Sequence, residues 1–233
     1  MQEFTVEKVI EAWKSRFDDD SQSKHSLLNE SYSLTVVLLK LLAEGRPVSV
    51  EQLAERSDLS ADQIESIVKK YKECGGEFDD QGNLVGAALT LNPTAHRFLT
   101  NSKELYAWCA LDALFLPNLL GRTAEVASTC PVTGQIIQLS INPEGVVNHS
   151  PAGLVLSITI PGVSCETGCC CHGNKTGPRS DACSQMHFFS SRAAADEWLR
   201  DRPGVAVLKI AEAWQLAKAI WIDSRIQNAV QVK

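Results

Sequence analysis

The 233-residue sequence has no apolar run approaching the roughly 18 to 20 residues that cross a bilayer, which argues against a helical membrane span. Its opening, MQEFTVEKVIEAWKSRFDDD, lacks the basic-then-apolar layout of an export signal, so the expected compartment is the cytoplasm. Internal repeats, a phosphate-binding glycine loop and a regular βαβ alternation are missing too, which argues against solenoids and doubly wound nucleotide-binding sheets. Positive charge is scarce: 22 Lys and Arg stand against 28 Asp and Glu, a formal net charge of −6. Residues 1–104 hold 12 basic against 18 acidic side chains, whereas residues 105–233 balance at 10 and 10. The acidity is therefore confined to the N-terminal part.

Cysteine is present but too dilute for a disulfide scaffold. The eight cysteines are about 3% of the chain, below the ~8 to 10% of such scaffolds, and a domain of this length needs no covalent staples. In a reducing compartment these thiols are ligands, nucleophiles or core residues. Cys74, Cys109 and Cys130 stand alone, while Cys165, Cys169, Cys170, Cys171 and Cys183 fall within nineteen residues.

Periodicity divides the chain in two. After an amphipathic leading segment and a polar joint near residues 18–25, apolar positions Leu34, Val37, Leu38 and Leu41 recur at helical spacing through residues 31–44. Ser49 with Gln52, and Ser60 with Gln63, have capping-box spacing and open two further helices. The segment GGEFDDQGNLVGAALTL then reads as a hairpin. Three helices and a hairpin are a winged-helix layout. DNA binding by such a unit needs phosphate-neutralising Lys and Arg. Here Lys69, Lys70 and Lys72 are countered by Glu65, Glu73, Asp79 and Asp80, so nucleic-acid binding is disfavoured and a structural or covering role is expected.

The remainder predicts a nearly all-apolar buried helix over residues 104–116, then strands TAEVAST, QIIQLSI, GLVLSITIP and MHFFSS. A helix over residues 191–200, a strand GVAVLKI and a last helix over residues 211–229 follow. Trp214, Ala217 and Trp221 lie on one face of that last helix and are expected in the core. The predicted fold class is α+β: an N-terminal winged-helix-like three-helix domain (residues 1–100), then a mixed or antiparallel-sheet catalytic core with flanking helices (101–233). A Cys-rich insertion occupies about residues 162–182.

Cys109 and Asp112 are three residues apart on the predicted helix and project to one side. A carboxylate in so apolar a run must be partnered, with Arg122 as one candidate, or remain protonated and act as a proton reservoir. Cys130, in STCPVTG, reads as a buried structural thiol, and Cys74 as incidental. The segment CETGCCCHGNKTGPRSDAC offers soft ligands in Cys165, Cys169, Cys170, Cys171, His172 and Cys183. Its spacing is not that of a zinc ribbon.

These residues bring the chain close to a known family. LYAWCALDALFLPNLLGRTAEV, followed by STCPVTG and HFF and preceded by GRPVS and GNLVGAALTL, resembles the organomercurial (alkylmercury) lyases over about residues 30–220. The resemblance implies a winged-helix-like domain ahead of an α+β catalytic core. It also implies protonolysis of the carbon–mercury bond to a hydrocarbon and Hg(II), carried by two cysteines and one aspartate.

By motif, the first cysteine and the aspartate fall on Cys109 and Asp112, and Cys130 matches a structural cysteine. The second catalytic cysteine precedes the His-Phe-Phe strand by four residues, as Cys183 precedes His187. The family's Cys-Cys-His-x-His-Phe-Phe run is replaced here by CSQMHFF, and the upstream insertion carries its own Cys170-Cys171-His172, so a second alignment would select Cys170. Cys183 is preferred because a strand fixes its separation from His187.

Mercury is then substrate and product, held by Cys109, Asp112 and Cys183, with Cys169, Cys170 and Cys171 as accessory ligands. No cofactor is implied beyond the small thiols that release the product. The implied partners are the organomercurial substrate, with cellular thiols and a mercuric reductase as Hg(II) acceptors. The competing reading is a non-enzymatic soft-metal (Hg, Cu or Zn) binding or metal-responsive regulatory protein.

Overall fold

The computed structural model describes residues 5–22, 25–73, 75–161 and 182–223. Four helices lead the chain: α1 (Val6–Gln22), α2 (His25–Leu42), α3 (Val50–Arg56) and α4 (Ala61–Glu73). The last two start where their caps predict. Ser49 Oγ accepts the Gln52 N–H at 3.3 Å and Gln52 Oε1 accepts the Ser49 N–H at 2.9 Å; Ser60 and Gln63 repeat the exchange at 3.4 and 2.8 Å. An N-cap contributes about 0.5–2 kcal/mol to a helix that short-range bonding alone barely sustains. Ile64, Ile67 and Val68 form the buried face of α4. Helix α1 runs on through Gln22 where a polar joint was expected, and its Trp13 indole N–H donates to the Thr159 carbonyl at 3.0 Å. The first helix is thereby bound to the later part of the chain.

Strands β1 (Glu77–Phe78), β2 (Leu84–Ala87), β3 (Leu89–Thr90), β4 (His96–Thr100) and β5 (Lys103–Ala107) follow, then helix α5 (Ala110–Leu120). Next come β6 (Ala124–Thr129), β7 (Ile136–Asn142), β8 (Gly145–Ser150) and β9 (Val155–Thr159). The chain closes with a 3-10 turn (Cys183–Gln185), β10 (Phe188–Phe189), α6 (Arg192–Trp198), β11 (Val205–Lys209) and α7 (Ile210–Ala217), which passes into a π-helical turn (Lys218–Asp223). Eight strands form one sheet in the order β1-β2-β3-β5-β4-β6-β7-β8, and β10-β9-β11 form a second. Every paired neighbour is antiparallel. The α+β class and the leading helical unit with its hairpin agree with expectation.

Three expectations need correcting. The helix placed over residues 104–116 begins only at Ala110, because Lys103–Ala107 pairs with β4. Leu105 and Ala107 are buried, Tyr106 is half-buried and Glu104 is exposed, a period-two pattern hidden in an apolar run. The β4–β5 connection is Asn101-Ser102, both at positive φ as a two-residue hairpin turn requires. Strand β8 was not foreseen: Val146 and Val147 are its only apolar residues besides Gly145, and Val147 is 63% exposed, so no alternation marks it. MHFFSS yields a strand of only Phe188 and Phe189, preceded by the 3-10 turn.

Helix α5 lies at the centre of the core. All of its residues except Asn118 are buried, and it touches β4, β5, β7, β8, β9, α2 and α7. Gly121 ends it in the left-handed conformation (φ 64°), which costs glycine nothing and other residues strain. Phe115 stacks on Trp221 with ring centroids 4.9 Å apart; Ala217 is fully buried as expected, whereas Trp214 and Trp221 are only partly buried and pack against the core.

Candidate active site

The site forms where α5 begins. Cys109 is the N-cap of α5, with extended backbone (φ −145°, ψ 173°), and Asp112 is the third residue of the first turn. The Asp112 N–H donates to Cys109 Sγ at 3.5 Å, and the Cys109 N–H donates to Asp112 Oδ2 at 3.0 Å. This is a capping box in which a thiol replaces the usual hydroxyl. The spacing of three was legible in the sequence, but Cys109 sits just outside the helix instead of within it. Asp112 is 7% exposed, and its carboxylate is partnered by backbone and by the positive end of α5. Arg122, the sequence candidate for that partner, turns to Glu44 at 3.5 Å instead.

Cys183 comes from the 3-10 turn. The sulfurs of Cys109 and Cys183 and a carboxylate oxygen of Asp112 all lie within 4.8 Å of one another, and among the described residues no other His, Cys, Asp and Glu side chains converge as a comparable group. Cys109 is 1% exposed, whereas Cys183 is partly open. Burial, contact with Cys183 and the negative charge of Asp112 push the Cys109 thiol well above its ordinary range. A helix N-terminus and the Asp112 N–H favour the thiolate, but desolvation outweighs them. The free site thus holds a proton on its buried sulfur, beside a carboxylate.

Long-range bonds hold the turn. The Met186 carbonyl accepts the Ala110 N–H at 3.1 Å, and the Met186 N–H donates to the Cys183 carbonyl at 3.2 Å. Ser157 of β9 is fully buried; its hydroxyl donates to the Gln185 carbonyl at 2.7 Å and accepts the His187 N–H at 3.0 Å. The ring Nε2 of His187 lies 2.8 Å from the Ser184 carbonyl. Burial lowers the His187 pKa and Arg202 nearby adds to this, against the opposing Ser184 bond; the neutral ring then donates through Nε2–H. The separation of Cys183 from His187 is therefore set by a tight turn and not, as expected, by a strand. Ser157 and Met186 escaped the sequence reading: a lone serine in an apolar strand and a lone methionine carry no spacing signal.

Cys130 lies apart from this group, 1% exposed at the turn after β6. Burial raises its pKa, but the Thr133 hydroxyl and the Ser190, Thr133 and Val132 amides outweigh that and bring it to about 7. Its partners are those of an anchored turn. Cys74, Cys165, Cys169, Cys170, Cys171 and His172 lie outside the described residues.

A helical unit with a wing set ahead of an antiparallel core, in which a buried thiol, a partly open thiol and a carboxylate converge, is the layout of a protein whose donor set suits a soft metal. The family model "Alkylmercury lyase" matches residues 89–221, and the model "Helix-turn-helix domain of alkylmercury lyase" matches residues 22–88. An alkylmercury lyase of Staphylococcus epidermidis is 40% identical over 181 residues, 78% of each chain. One of Streptomyces lividans is 38% identical over 78% of this chain and 79% of its own. One of Pseudomonas putida is 36% identical over 86% and 89%. The crystal structure of the mercury-bound form of MerB2 superposes with a TM-score of 0.68 at 18% identity, covering 91% of this chain and 97% of that one. The chain belongs to the alkylmercury lyase family.

Proposed function

We propose that the protein cleaves the carbon–mercury bond of alkyl and aryl mercury compounds to a hydrocarbon and Hg(II), at Cys109, Asp112 and Cys183. The convergence of these three side chains within 4.8 Å carries the reading. Mercury is soft and thiolate is the softest protein ligand. Cys183, the more open sulfur, captures R–Hg⁺ and releases the substrate's original counter-ligand and a proton. As the Cys109 sulfur joins the mercury, its proton passes to Asp112. Two sulfur donors raise electron density at the mercury-bound carbon, and Asp112 returns the proton to that carbon as the bond breaks. The hydrocarbon leaves with that proton, and Hg(II) stays on two thiolates.

The substrate brings its own mercury, so this chemistry requires neither an organic cofactor nor a resident metal. Small cellular thiols, or a mercuric reductase, take Hg(II) by ligand exchange, and the cytoplasm supplies such thiols. Residues 101–233 carry the chemistry, and residues 1–100 support and cover it. Packing of α2 on α5 supports the covering role, and Lys72, one of the three lysines a nucleic acid would need, lies over the Phe78 ring of the same unit at 5.3 Å. Among the described residues no helix is long and apolar enough to cross a membrane.

Purified protein, excess small thiol and phenylmercury or methylmercury should give benzene or methane, measured in the headspace. Hydrocarbon at the level of a thiol-only control would refute the assignment.

A further inference from the structure

We propose that the Met186 thioether is a third sulfur donor to the mercury held between Cys109 and Cys183. The proposal rests on the assignment of that pair as the mercury site. Met186 is 3% exposed, and its Sδ lies 3.9 Å from Cys109 Sγ, within the reach of a sulfur–sulfur hydrogen bond. A thioether sulfur is a weak acceptor whose lone pairs are open to a neighbouring proton or soft ion. The position is held from both sides: the Met186 N–H is bonded to the Cys183 carbonyl and the Met186 carbonyl to the Ala110 N–H. Met186 is thus built into the link between the elements that carry the two thiols.

The chemistry suits the place. Thioether sulfur is soft and selects soft metals, as thiolate does. It is neutral, so bringing it to mercury in a buried site adds no charge to desolvate and consumes no proton. When mercury replaces the Cys109 proton, the Met186 sulfur already lies beside the sulfur that takes the ion. A donor of this kind strengthens retention of Hg(II) without competing with Asp112 for the transferred proton.

The sequence contains two methionines, Met1 and Met186, which makes the test element-specific. Selenomethionine-substituted full-length protein loaded with one equivalent of mercuric chloride should show a mercury neighbour in its selenium-edge X-ray absorption. Met186→Leu, a volume-conserving core substitution, should lose that neighbour while the mercury edge keeps its two thiolate sulfurs. A selenium spectrum without mercury, in protein whose mercury edge shows two sulfurs that Cys183→Ser reduces to one, overturns the Met186 donor and leaves the site assignment standing. A mercury edge unchanged by both Cys109→Ser and Cys183→Ser overturns the site assignment and the donor with it. The wild-type selenium measurement decides the question even if the leucine variant folds poorly.

Discussion

The Cys109 sulfur and the Asp112 carboxylate fix each other's position: Asp112 donates its N–H to the sulfur at 3.5 Å, and its carboxylate accepts the Cys109 N–H at 3.0 Å. The start of helix α5 and the proposed proton relay are thus the same pair of contacts. A substitution at either residue has to be read for stability and for chemistry separately, and the two responses diverge in ways that can be measured.

Cys109→Ser should abolish hydrocarbon release without destabilising the protein. Serine is among the preferred N-caps, so the capping box survives and stability should stay within about 1 kcal/mol of wild type. Thermal melts and headspace hydrocarbon on one preparation check this. Retained turnover, or a melting point lower by many degrees, would contradict it.

Asp112→Asn keeps an oxygen to accept the Cys109 N–H but has no proton to transfer. Cleavage should slow by roughly 10²–10⁴-fold, the usual range for losing a general acid or base, while phenylmercury still binds at one per chain. Stopped hydrocarbon release with intact mercury stoichiometry separates the roles of carboxylate and thiols. A rate within a few-fold of wild type would remove Asp112 from the mechanism.

Cys183→Ser should eliminate turnover, and Cys170→Ser should leave it near wild type. The geometric basis is that Cys183 lies within 4.8 Å of both Cys109 Sγ and Asp112. The reverse pattern would show that the second catalytic thiol had been assigned to the wrong cysteine.

Alkaline pH should destabilise the wild type more than Cys109→Ser. Burial, Cys183 and Asp112 raise the folded-state pKa of Cys109, while in the unfolded chain the thiol titrates near 8.5. Above about pH 8.5 the unfolded state binds fewer protons than the folded one, so this contribution is present below that pH and is lost as pH rises toward the folded value. Urea midpoints between pH 7 and 10 should fall more steeply for wild type than for the serine variant. Parallel curves would count against a buried, protonated Cys109.

The parts of this structure that the sequence made legible are those held by near neighbours. The caps of α3 and α4 involve residues three apart, and their bonds form as the spacing predicts. Residues 103–107 misled because a continuous apolar run has the same composition whether it is helix or strand; pairing with β4 decided it. Strand β8 was hidden because its side chains are mostly exposed or half-exposed, so burial left no pattern to read.

By itself the sequence determined the α+β division, the family motif and the spacing of three that puts Asp112 one turn from Cys109; that Cys109 caps the helix came from the pairing of residues 103–107 as a strand. A local spacing of three fixes such a pair wherever the helix happens to lie. The family motif favoured Cys183 over Cys170, and the tertiary structure brings its sulfur to that pair; tertiary structure alone decided that Arg122 goes to Glu44 and that Ser157 and Met186 hold the turn in place. Those outcomes depend on contacts between residues remote in sequence, made only once α2 has packed on α5 and β9 and the turn before β10 have closed on the start of α5.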